Sequence, residues 1–74
     1  MNPGIYAVVK ITENNKSVAW YCKSDDHYSI YDKMMKLTNN NHELSSGAAS
    51  WCELATVGEI YEFENGEIEI QEID

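Results

Sequence analysis

A chain of 74 residues holds one domain with a small core, and a hydrophobic fraction of 43 % with two Trp and five Tyr excludes wholesale disorder despite a formal net charge of -8. That charge excludes the basic footprint of a nucleic-acid-binding surface, and no apolar run approaches the roughly 18 residues of a membrane span. The charge is also lopsided: all five lysines lie at or before Lys36, whereas the nine acidic residues from Glu43 to Asp74 have no basic companion in the chain beyond Leu37.

From Ile5 to Thr12 the residues alternate, with Ile5, Ala7, Val9 and Ile11 on one side and Tyr6, Val8, Lys10 and Thr12 on the other, which predicts a strand with one apolar face. Asn14 and Asn15 supply the positive φ of a tight turn, and Val18, Trp20 and Cys22 then alternate with Ala19, Tyr21 and Lys23, so the first unit is a β-hairpin. Ser24, Asp25 and Asp26 form a cluster of helix-capping oxygens. Behind it His27, Ile30, Tyr31, Met34, Met35 and Thr38 recur at helical spacing, with Asp32 and Lys36 placed to pair one turn apart. The run Thr38 to His42 breaks this pattern and is read as a loop. A second helix is expected to start at Ser45 or Ser46, to share Ala48, Trp51, Cys52 and Ala55 on one face, and to stop near Gly58. Two β-rich runs between Glu59 and Ile73 flank Asn65–Gly66, a strong hairpin signal. The expected architecture is therefore a single acidic α+β domain over residues 1–74, in the order ββααββ, with an antiparallel sheet and two short helices on one face.

Pairing the last two runs across an Asn65–Gly66 turn sets Glu64 opposite Glu67, Phe63 opposite Ile68, Glu62 opposite Glu69 and Tyr61 opposite Ile70. Phe63, Tyr61, Ile68 and Ile70 then face the helices. Glu62, Glu64, Glu67 and Glu69 stand together on the other side, with Glu59 and Glu72 near the open end. Like charges placed directly opposite on paired strands are destabilising, and mutual repulsion is expected to raise the carboxylate pKa values. A sequence shaped by stability alone has reason to interleave lysines here. The partner-binding candidates are accordingly Glu59, Glu62, Glu64, Glu67, Glu69 and Glu72. The occupant they suit is a basic protein surface, in particular that of a nucleic-acid-binding protein, for which a dense carboxylate array stands in for the phosphate backbone. Size and charge match small acidic inhibitors carried by phages and mobile elements, such as anti-CRISPR and anti-restriction proteins, although no motif of theirs is present. The competing reading is a small structural or assembly subunit whose acidic face is merely solvated.

Catalytic signals are weak, and no enzyme is expected. The spacings Cys22–His27 and His42–Cys52 are not those of a zinc knuckle, and the carboxylates lack the wrapping loop calcium needs, so no metal or cofactor is assigned. Ser45, Ser46 and Ser50 lie outside any nucleophile elbow. Cys22 and Cys52 fall on apolar faces and read as reduced core thiols. With no signal-peptide pattern at Met1–Gly4, the expected location is cytoplasmic. Tyr6, Tyr21 and Tyr28 are candidates for the rim of a partner interface.

Overall fold

A computed structural model describes residues 2–64 and 66–74. Its elements are β1 (Gly4–Glu13), β2 (Lys16–Lys23), α1 (His27–Leu37), α2 (His42–Leu54), β3 (Ile60–Phe63) and β4 (Gly66–Ile73). Asn14 and Asn15 adopt φ of 50° and 64°, two consecutive left-handed residues, and so close the β1–β2 hairpin in a turn whose twist matches that of its strands. The expected first hairpin is present over its full length, with Glu13 opposite Lys16 and Tyr6 opposite Lys23.

The four strands form one antiparallel sheet in the order β2-β1-β4-β3. The expected α+β class and element order are thus observed, and the strand order is new information. The last strand in the chain enters between β1 and β3, so β2 and β3 become the two edges and the helical pair spans from one edge to the other. Alternation sends Ala7 and Val9 of β1 and Ile68 and Ile70 of β4 to the same face. There they pack with Ile30 and Met34 of α1 and Ala48, Ala49 and Cys52 of α2 in a core that solvent does not reach. Burying each of the large aliphatic side chains contributes about 1.5–3 kcal/mol.

The helix boundaries correct two expectations. Asp26 caps α1 as anticipated, its Oδ1 accepting the Ser29 N–H at 3.2 Å. α2, however, begins at His42 and not at Ser45 or Ser46: its cap is Asn41, whose Oδ1 accepts the Leu44 N–H at 3.0 Å. Ser45 lies fully buried inside the helix, where its hydroxyl donates to the Asn41 carbonyl at 2.7 Å. The connection is short because Asn39 and Asn40 both take positive φ, and the Asn40 N–H returns to the Met35 carbonyl at 2.8 Å. α2 ends at Leu54, so Gly58, with φ of 97°, is not its stop; it serves the approach to β3, donating to the Ile70 carbonyl at 2.8 Å. Among the described residues the ion pairs are Lys10–Glu69 and His27–Glu53, and the expected Asp32–Lys36 pair is not one of them.

The final hairpin pairs two residues away from the expected register. Phe63 lies opposite Gly66, Glu62 opposite Glu67, Tyr61 opposite Ile68 and Ile60 opposite Glu69. β3 therefore ends at Phe63 and β4 begins at Gly66, and the expected turn at Asn65–Gly66 falls partly outside the described residues. Gly66 belongs to the strand for a steric reason. A Cβ there would sit 2.5 Å from the Lys10 carbonyl oxygen and 2.8 Å from the Phe63 ring, so the position lets β1, β4 and Phe63 close on one another. A two-residue slip preserves the side-chain parity of both strands, which is why the inward and outward assignments survive.

Candidate functional site

The face of the sheet away from the helices carries the chain's clustered charge. Its rows follow from the registers: Lys23, Tyr6 and Gln71; then Tyr21, Val8, Glu69 and Ile60; then Ala19, Lys10, Glu67 and Glu62. Val8 is only 1 % exposed on this open face, because Tyr21 and Glu69 flank it across the strands and Tyr6 and Lys10 along its own. Tyr6 is buried as well, with its hydroxyl donating to the Asn2 carbonyl at 2.6 Å and the Lys23 ammonium 4.8 Å from its ring centre, so it is no rim residue. Tyr21 and Tyr28 are exposed.

Three of the six candidate glutamates meet here. Glu67 is flanked by Glu62 on one side and by Lys10 on the other, and Glu69 lies one row away. The ladder phase is set by Ile70, whose N–H donates to the Glu59 carbonyl at 3.1 Å. This makes Glu62 and Glu67 a pair that exchanges no backbone hydrogen bond, the type in which side chains stand closest. Glu64 does not join them. It sits in the turn after β3 and lines, with Leu37, Thr38 and Leu44, a cleft of about 230 Å³ on the helix side. Glu59 precedes β3 and accepts the Thr56 N–H at 3.1 Å, which closes the approach turn. Glu72 pairs with Ile5 and so has the opposite facing. The expected grid of four is thus a trio of Glu62, Glu67 and Glu69, with Glu64 alongside at the hairpin tip.

The trio also has a cation that reasoning from sequence order did not supply. Lys10 donates to Glu69 Oε1 at 2.6 Å, and Gln71 Nε2 reaches the same oxygen at 3.2 Å. These contacts, the Lys10 hydrogen bond first, hold the Glu69 carboxyl below the usual carboxylate range, and the same bond raises the Lys10 ammonium. For Glu69 the expected repulsion-driven rise is therefore reversed. The chain offered a signal in Lys10, on the polar face of β1, but only the insertion of β4 beside β1 shows which carboxylate it meets. Among the described residues Glu69 is the one of the six candidates in a lysine salt bridge; Glu67 stands opposite Lys10 in the strand register without forming one, and Glu62 faces Glu67. The pair opens onto a shallow groove of about 870 Å³ also bordered by Lys10, Thr12 and Ser17, a form open to another molecule's surface and poorly suited to enclosing a small substrate.

The other chemistry-bearing side chains are dispersed. His27 Nδ1 lies 3.2 Å from Glu53, and His42 Nδ1 lies 2.6 Å from the Tyr31 hydroxyl. Cys22 and Cys52 are free, and burial, with the Cys22 sulfur adding to it, pushes the Cys52 thiol up to about 12, so it is protonated at neutral pH and inert as a nucleophile. Among the described residues no three His, Cys, Asp or Glu side chains come together in a way that could hold a metal ion. No helix among them is long and apolar enough to cross a membrane.

The fold and this face define an α+β domain with a carboxylate-bearing edge hairpin. No protein-family model, curated protein or solved structure matches the chain.

Proposed function

We propose that the protein acts by binding, presenting the β3–β4 hairpin to a basic surface of another protein, one that handles nucleic acid and whose nucleic-acid site the hairpin occupies in competition. The observation that carries this reading is the direct opposition of Glu62 and Glu67 on an open groove, with Glu64 at the adjoining tip and Lys10 already engaged by Glu69. Opposed carboxylates cost stability in the isolated protein, and a lysine or arginine from a partner relieves that repulsion on binding. Strand geometry sets the Cβ atoms of Glu62 and Glu67 about 5 Å apart, two adjacent negative charges of the kind a basic nucleic-acid site receives from neighbouring phosphates. The inhibitor function expected from size and charge, of the anti-CRISPR or anti-restriction kind, is one form of this activity.

A pull-down from source cells with the tagged chain, followed by elution with DNA, RNA or salt, tests the reading. Release of the captured protein by nucleic acid and by moderate salt is the expected result. Capture that resists both identifies an assembly subunit held by apolar contacts and removes the mimic.

A further inference from the structure

The edges of the sheet differ sharply. β3 is four residues long, carries Glu62, and is preceded by a bulge: the Gly58 N–H donates to the Ile70 carbonyl while the Ile70 N–H donates to the Glu59 carbonyl, two residues against one. Short length, charge and bulging are the features that keep an edge from pairing. β2 has none of the bulging or shortness. It pairs with β1 without interruption from Lys16 to Lys23, contains no proline and no acid, and leaves Val18 and Tyr21 40 % and 46 % exposed.

The ladder phase shows what this edge offers. The Ser24 N–H donates to the Ile5 carbonyl at 3.1 Å, so alternate residues Cys22, Trp20, Val18 and Lys16 spend their backbone groups on β1. Ser17, Ala19, Tyr21 and Lys23 therefore direct their N–H and C=O groups away from the sheet. We infer that this edge takes the β2 strand of a second copy of this chain, antiparallel about a twofold axis at Trp20. In that register Ser17 lies opposite the partner's Lys23 and Ala19 opposite the partner's Tyr21, and each outward backbone group finds its complement. On the helix side Trp20 meets the partner's Trp20, and Val18 meets the partner's Cys22. Lys16 falls opposite the partner's Ser24, so no cross-strand pair joins like charges, which otherwise oppose such pairing. The acidic hairpins lie at the outer ends of the resulting sheet, as far from the axis as the strand order permits. The dimer presents two acidic hairpins, although its formation depends on neither.

Sedimentation velocity of the full chain over a wide concentration range tests the inference. The expected result is a concentration-dependent doubling of the 8.5 kDa mass. Ala19→Pro removes an outward N–H without touching the β1 ladder, a placement proline tolerates on an edge strand, and is expected to leave a monomer with an unchanged circular dichroism spectrum. Val18→Cys is expected to give, on mild oxidation, a reducible dimer whose disulfide joins the introduced thiol to the partner's Cys22, as facing positions in this register allow. A chain that stays monomeric at every concentration overturns the inference, as does a dimer that persists in a folded Ala19→Pro variant. Should that variant fail to fold, a Val18→Cys dimer lacking the 18–22 linkage overturns it. Glu62→Gln with Glu67→Gln leaves the dimer intact, which separates this edge from the partner-binding hairpin.

Discussion

Lys10 holds Glu69 at 2.6 Å, and the contact moves the two protonation equilibria in opposite directions. Glu69 titrates lower in the fold than in the unfolded chain, so its contribution to stability is present at neutral pH and is lost as pH falls through the folded value. Lys10 titrates higher, so its contribution is complete below the ordinary value of 10.5 and is lost as pH rises through the folded one. Urea melts across pH should therefore show a difference between wild type and Glu69→Gln that is constant near neutrality and narrows at both extremes. A wild type less stable than Glu69→Gln near neutrality, with the deficit vanishing toward low pH, would mean the carboxylate is repelled in the fold, as expected from the sequence. Gly66 is the second residue whose role changed between sequence and structure. In the chain, Asn65–Gly66 reads as a turn, yet the glycine is needed where the Lys10 backbone and the Phe63 ring approach it. Gly66→Ala should lower stability by about 1–3 kcal/mol, since either strand separation or ring displacement must follow. Local turn chemistry cannot reveal a requirement created by a strand from the other end of the molecule.

At the scale of elements, alternation and helical spacing made both hairpins and both helices legible, because each buries a face whose period appears directly in the residues. The start of α2 was misread because Ser45 and Ser46 resemble caps, while Asn41 stood inside an asparagine run that reads equally well as loop. The structure divides that run by task, with Asn39 and Asn40 reversing the chain at positive φ and Asn41 capping. Asn41→Ala should cost about 1 kcal/mol in a thermal melt, the usual value of a lost cap. Ser46→Ala should cost far less, because Ser46 caps nothing. The β3–β4 register was also out of reach, since a two-residue slip leaves every side chain on its expected face and the sequence pattern is blind to it. It nonetheless decides which glutamates oppose each other, Glu62 with Glu67 and not with Glu69.

For the whole molecule, the strand order decides where the charged side chains meet, and nothing in a single chain's periodicity specifies it. Placing β4 between β1 and β3 brings Lys10 from the lysine-bearing half into the acidic half, and it sets Glu62 on the edge strand β3 beside Glu67 while β2 forms the other edge. The one-sided charge along the sequence thus becomes a one-sided charge across the sheet. Of the six glutamates marked in the sequence, Glu62, Glu67 and Glu69 share the open face; Glu59 and Glu72 do not, because turn closure and strand parity direct them elsewhere. The proposed contact accordingly narrows to Glu62, Glu67 and the neighbouring Glu64, with Glu69 left to Lys10. The most direct measurement is the affinity of the captured partner for wild type and for a folded variant carrying Glu62→Gln, Glu64→Gln and Glu67→Gln, each titrated over a range of salt. Binding should weaken by about tenfold or more in the variant and lose much of its salt dependence, the response to removing close charge pairs. Equal affinity of the two proteins at every salt concentration would contradict the assignment of this hairpin as the binding surface.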